Sequence, residues 1–178
     1  DYILLRNSQY AEAMITNYFT FVNQGSNLQN NQGEGKMAYI SRKDCAKAVA
    51  YALLADNLHH KILNINGKQL LTISEFIEIG NEKTGNHVKY QFVSDEENYA
   101  IFDAMDVPRT TEGKFKTDSE APFSSDGMVT FGQAIRENKM SNFTKDFEYL
   151  TGDEPISVQF MFEHSEKFQI GQRHSLDK

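Results

Sequence analysis

A chain of 178 residues, 39% hydrophobic and 24% charged, is long enough to bury one sizeable core and too apolar to be a disordered segment. Its formal charge of −7 argues against non-specific nucleic-acid binding, which rests on many Lys and Arg contacts to phosphate. Apolar runs such as Tyr18 to Val22 and Val49 to Ala55 are far too short to cross a bilayer, and the opening residues lack a basic start followed by an apolar segment, so the sequence reads as a soluble, cytoplasmic protein with no membrane contact.

The chain opens on "YILL", Tyr2 to Leu5, which has the continuous apolar character of a buried strand. A helix follows in "SQYAEAMITNYFTFV", with Ser8 as a candidate N-cap and Tyr10, Ala13, Met14, Ile15 and Tyr18 able to share one face. "NQGSNLQNNQGEGK" is polar, aperiodic and glycine-bearing, and reads as a loop. "MAYIS" is then a short strand. A helix starting at about Asp44 is expected to bury Cys45, Ala46, Val49, Ala50, Leu53 and Leu54. The single Cys45 cannot close an internal disulfide, and among these alanines it reads as a buried structural thiol.

"KILNING" is a further strand ending in a turn at Asn66-Gly67. Thr72 and Glu75 have capping-box spacing, opening a helix that packs Ile73, Phe76, Ile77 and Gly80 and stops near Gly85. "HVKYQFV" alternates as a half-buried strand with Val88, Tyr90 and Phe92 on one face, and "SDEE" from Ser94 repeats the capping box before a helix carrying Tyr99, Phe102 and Met105. Residues 109–126 show no sustained period and read as a mobile surface loop. Three helical pieces follow, in "GMVTFGQAIRENK", in "NFTKDFEYL" closed by Gly152, and in "SVQFMFEHSEKF" capped by Ser157. The order is β-α-β-α-β-α-β-α and then helices, an α/β protein with a largely parallel sheet.

Two motif matches fail on context. "GEGKMA", Gly33 to Ala38, fits the dinucleotide fingerprint, but that motif works between a strand and a helix, whereas an Asn/Gln run precedes this one and a strand follows it. Tyr39 and Lys43 in "YISRK" match the Tyr-x-x-x-Lys pair of classical short-chain dehydrogenases. Its members must sit one helical turn apart, and Tyr39 lies in a strand pattern. The histidines His59, His60, His87, His164 and His174 have no ligand spacing, so no metal site is expected. Glu96, Glu97, Asp146 and Glu148 read as capping or exposed helix charges, and no nucleophile–base pair emerges, which leaves catalytic residues unassigned.

The stretches "YILLRNSQYAEAM", "MAYISRKDCAKAVAYAL", "KILNINGKQLLTISEFIEIGNEKTGNHVKY" and "DFEYLTGDEPISVQFMFE" occur in an order and spacing that resembles the C-terminal part of NmrA-like proteins. These are atypical short-chain dehydrogenase/reductases that include NAD(P)H:quinone oxidoreductases and triphenylmethane reductases. The resemblance spans nearly the whole chain and lies in the combination, each motif alone being weak. It implies that residues 1–58 hold late strands and helices of a Rossmann-like domain. Residues 59–168 would hold a smaller, mostly helical substrate-binding portion whose strand at about 61–66 returns to the sheet, and 169–178 a polar tail. It also implies that the dinucleotide-binding half with its glycine loop would precede Tyr2 and is absent from this chain.

Residue by residue, the turn after the opening strand lies at the carboxyl end of a parallel strand, where open α/β sheets place ligands. By resemblance Asn7, Ser8 and Gln9 would contact the nicotinamide end of NADP or NAD, and Tyr10 and Tyr39 a small-molecule substrate such as a quinone. The alternative is that Asn7 and Ser8 only cap the next helix. The loop around Phe115 to Phe123 is a further candidate for the substrate wall. The function implied for the full-length protein is hydride transfer to small electron-poor compounds, this part alone being expected to be inactive, with a homodimer possible. A dinucleotide-sensing regulator without turnover and an inactive fragment are the competing readings.

Overall fold

The computed structural model describes residues 2–110 and 123–170. β1 (Ile3–Asn7) leads into α1 (Ala11–Asn23), β2 (Asn27–Asn30), α2 (Arg42–Leu54), β3 (Lys61–Ile65) and α3 (Ile73–Thr84). Then come β4 (Lys89–Phe92), α4 (Asp95–Asp103), α5 (Ser125–Arg136), α6 (Asp146–Thr151), α7 (Val158–Glu163) and a 3-10 turn at Ser165–Lys167. This is an α/β fold. The strands form two separate parallel pairs, β1 with β3 and β2 with β4, registered Asn7 to Ile65 and Asn30 to Phe92.

Local sequence explains most boundaries. Thr72 and Ser94 each accept a backbone hydrogen bond from the residue three on, while Glu75 and Glu97 return one, completing both capping boxes. Gly85 and Gly152 end α3 and α6 in the left-handed conformation that an L side chain resists. α3 buries Ile73, Phe76, Ile77 and Gly80, the face expected from its period.

Elsewhere the structure corrects the expectations. The polar stretch before Met37 contains β2, whose only fully buried side chain is Leu28; amide groups of Asn27, Gln29 and Gln91 bridge it to β4. Hydrogen bonding across a ladder therefore replaces the apolar alternation that pattern reading requires. "MAYIS" is extended and buried, yet it makes only isolated bridges, Met37 to Leu71 and Tyr10 to Ile40. Helix α2 starts two residues earlier than Asp44: Ser41 is the N-cap, accepting from the Asp44 amide. Its buried side is Asp44, Cys45, Ala48 and Ala52, while Leu53 and Leu54 stand 81% and 82% exposed. The helix is apolar nearly all round, and only the side facing α6 and β1 is covered. In β4 Val88 is buried just ahead of the strand, whereas Phe92 is exposed beneath the Arg136 guanidinium, and Met105 lies beyond the end of α4.

The main core gathers Ile15, Tyr18, Tyr39, Phe76, Met161 and Phe162 between α1, α3 and α7. Tyr18 and Phe76 both meet Phe162 edge-on, the geometry that aromatic quadrupoles favour. A smaller cluster of Ile40, Cys45, Ala48, Leu63, Ile65 and Phe147 packs between the β1–β3 pair, α2 and α6. No helix among the described residues is long and apolar enough to cross a membrane.

Candidate functional site

The turn after β1 is held on both sides by main-chain bonds. The Ser8 amide donates to the Ile65 carbonyl at 3.0 Å, the Ile40 amide to the Gln9 carbonyl at 3.0 Å, and the Ala11 amide to the Ile40 carbonyl at 2.9 Å. With its backbone committed, the turn presents side chains from a fixed frame. Asn7 and Tyr10 are exposed, and the Asn7 amide Nδ2 donates to the Tyr10 hydroxyl at 3.3 Å. The half-buried Ser8 and Gln9 side chains have no hydrogen-bond partner among the described residues. All of these groups lie at the carboxyl end of a parallel strand, the edge at which open α/β sheets bind ligands.

Capping does not account for them. The N-cap of α1 is Tyr10, with no side-chain cap bond, and neither Asn7 nor Ser8 reaches a free helix amide. Apart from the bond from Asn7 to Tyr10, their side chains have no hydrogen-bond partner among the described residues.

Tyr39 stands apart from this cluster. It is 2% exposed, its ring 4.7 Å from that of Phe76, and burial holds its phenol far above the ordinary range. Lys43 sits on α2 and does not approach it as a partner, so the Tyr-x-x-x-Lys match is coincidental. The Gly33 to Ala38 match leads into buried extended chain, not into a helix. Residues 111–122, including Phe115, lie outside the described residues, as does His174; Phe123 packs against Phe102. Among the described residues no group of His, Cys, Asp or Glu gathers that could hold a metal ion.

The structure adds groups that no spacing announced. Just past β3, Asn66 is buried, donating to the Asn142 carbonyl at 3.1 Å and accepting from the Thr144 amide at 3.0 Å. The Thr144 hydroxyl donates to the Asn64 carbonyl at 3.2 Å, and Asp146 accepts from the Asn64 amide at 2.7 Å. This fastens the loop before α6 beside the turn. At the end of β2, the Asn31 amide donates to Asp95 at 2.7 Å and to the Val129 carbonyl at 2.9 Å, and Asn31 accepts from Asn98 at 2.9 Å. Arg136 joins through a two-pronged pair with Asp95, at 2.9 and 3.0 Å, which holds that carboxyl below the usual carboxylate range. Glu12, buried in the first turn of α1, receives the Arg42 amide at 2.9 Å.

No protein-family model matches the sequence, and no curated protein does. Solved structures do. Triphenylmethane reductase of Citrobacter sp. matches at a TM-score of 0.75 with 23% identity, over 93% of this chain and 53% of that one. An NADPH-dependent quinone oxidoreductase of Escherichia coli matches at 0.72 with 20% identity, over 93% and 55%. A nucleoside-diphosphate-sugar epimerase of Staphylococcus aureus matches at 0.73 with 21% identity, over 92% and 52%. The chain shares its fold with these proteins. It spans about half their length, and the reductase and the oxidoreductase are of the kinds to which the order of motifs pointed. Structures of the reductase with NADP(H) and of the oxidoreductase with NADPH match at a TM-score of 0.72 each.

Proposed function

We propose that this chain forms the substrate-side part of an NAD(P)H-dependent reductase acting on quinones or similar electron-poor small molecules. The observation that carries the reading is the exposed Asn7–Tyr10 pair, with the Ser8 and Gln9 side chains, unpartnered among the described residues, beside it on a backbone fixed at the carboxyl end of β1. Amide and hydroxyl groups in that position fit the carboxamide and ribose of a nicotinamide, and a phenol suits a quinone oxygen. The cofactor supplies the hydride. Asn7, Ser8 and Gln9 would hold its nicotinamide end, and the Tyr10 hydroxyl, whose oxygen accepts from Asn7, would donate its hydrogen bond to a substrate oxygen. A reduced quinone can take its remaining proton from solvent, so the reading requires no tyrosine–lysine pair.

The fold supports this reading, being shared with structures described as NADPH-dependent quinone oxidoreductase and as triphenylmethane reductase bound to NADP(H). The test is titration of the protein with NADPH, followed by nicotinamide fluorescence, with a benzoquinone then added. Saturable binding is expected of this chain, and oxidation above the protein-free rate of the full-length protein. Binding without oxidation by the full-length protein would replace the reductase with a dinucleotide sensor, and no binding at millimolar NADPH would overturn the reading for this chain.

A further inference from the structure

Beside the start of α2 lies a cavity of about 400 Å3 that the candidate site does not use. Small-molecule pockets run from about 300 to 1,000 Å3, so it has room for a ligand. Three segments distant in sequence build it: Glu12 from the first turn of α1, Arg42 and Lys43 from that of α2, and Phe160, Lys167 and Phe168 from α7 and the residues after it. Neither Asn7 nor Tyr10 lines it.

Its wall contains a half-used carboxylate. Glu12 is 4% exposed, and its Oε1 receives the Arg42 amide at 2.9 Å. Its Oε2 is buried and has no hydrogen-bond partner among the described residues. The other buried carboxylate nearby is already spent, since Asp44 Oδ2 accepts from the Ser41 hydroxyl and from the Ile156 amide, each at 2.8 Å. A buried acceptor left bare is costly, and an O–H or N–H brought by a ligand removes that cost.

The rim carries the opposite charge. Arg42 and Lys43 are exposed with no ion-pair partner among the described residues, and Lys167 reaches only Glu166, at 3.8 Å. Three cations thus gather at one opening in a chain whose formal charge is −7, which favours an anion there. None of the three pairs with Glu12, so a ligand that satisfies both must hold its donor and its acid group apart. The remaining lining is Ile156, the buried Phe168, and Phe160, which is 46% exposed with the His164 ring 4.3 Å away. Such a surface suits an aromatic ring.

We propose that this cavity is a second small-molecule site, taking an aromatic carboxylate that bears an O–H or N–H donor opposite its acid group. The donor meets Glu12, the acid meets Arg42, Lys43 and Lys167, and the ring lies against Phe160 and Phe168. This inference rests on the cavity and not on the chemistry proposed for the turn after β1.

The probe is 4-hydroxybenzoate, titrated without cofactor into isotope-labelled protein. Saturable shifts are expected at the amides of Glu12, Arg42, Lys43 and Phe168. 4-Methoxybenzoate, which keeps the ring and the acid but lacks the donor, should bind about tenfold more weakly. Lys43→Ala combined with Lys167→Ala, both at exposed positions, should weaken 4-hydroxybenzoate about tenfold without unfolding the protein. Glu12→Gln keeps the acceptor for the Arg42 amide and puts a donor where the bare oxygen stood, so it should reverse the preference between the two benzoates. No saturable shifts at millimolar probe would overturn the proposal. So would equal binding of the two benzoates to wild type, binding indifferent to the lysine substitutions, a folded Glu12→Gln variant that keeps the wild-type preference, or shifts centred on Asn7 to Tyr10.

Discussion

The side-chain amide of Asn7 donates to the hydroxyl of Tyr10 at 3.3 Å, across a turn whose main chain is already committed to Ile65 and Ile40. Two exposed side chains aligned in this way contribute little to folding, because each is also well solvated. Tyr10→Phe and Asn7→Ala should thus change stability by less than about 0.5 kcal/mol. Each should weaken binding of a nicotinamide or quinone ligand about tenfold, the cost of one directed hydrogen bond. Thermal unfolding alongside ligand titration separates the two effects.

Close approach makes Gly67 far less forgiving. A Cβ built there would lie 1.8 Å from the Tyr39 carbonyl oxygen, a backbone atom flanked by the buried Ala38 and Ile40. Gly67→Ala should cost about 3 kcal/mol through displaced main chain. Urea unfolding reads this directly.

Acid should loosen the junction of β2, α4 and α5. Arg136 and Asn31 hold the Asp95 carboxyl below its ordinary value. A group depressed on folding contributes its full stabilisation above the unfolded-state pKa, near 4, and loses it as pH falls through the lower folded value. Both partners are about one-third exposed, so the contribution is screened to about 1 kcal/mol. Unfolding curves should therefore show wild type ahead of Asp95→Asn at neutral pH, with the gap closing below about pH 4.

Cys45 should resist alkylation until the protein opens. Burial, reinforced by the Asp44 and Glu12 carboxylates, pushes its thiol up to about 12, and the side chain is 5% exposed. At pH 8 the thiolate is then about a thousandfold scarcer than in a free thiol. Iodoacetamide labelling should track global unfolding in urea, and rapid labelling of native protein would contradict the burial.

What the sequence disclosed was whatever short-range chemistry determines. The capping boxes at Thr72 and Ser94, the stops at Gly85 and Gly152 and the packed face of α3 all depend on residues within a turn or two of each other. β2 escaped notice because its ladder is stitched by amides to residues more than sixty positions away. α2 misled because a helix apolar nearly all round does not reveal which side its neighbours cover. At the site, the position of Asn7 and Tyr10 followed from the strand-to-turn step. The burial of Tyr39 and the anchoring by Asn66 required the tertiary contacts with Phe76 and Thr144.

In the proposed function the turn at Asn7, Ser8 and Gln9 receives a nicotinamide, with Tyr10 beside it. Reduced nicotinamide mononucleotide tests it most directly, since it carries only the end of the cofactor that the turn would hold. Titrated into isotope-labelled protein, it should shift the amides and side-chain signals of Asn7, Ser8, Gln9 and Tyr10 saturably, and Asn7→Ala should weaken the effect about tenfold. Saturable shifts confined to other surfaces, or no shifts at millimolar ligand, would contradict the claim.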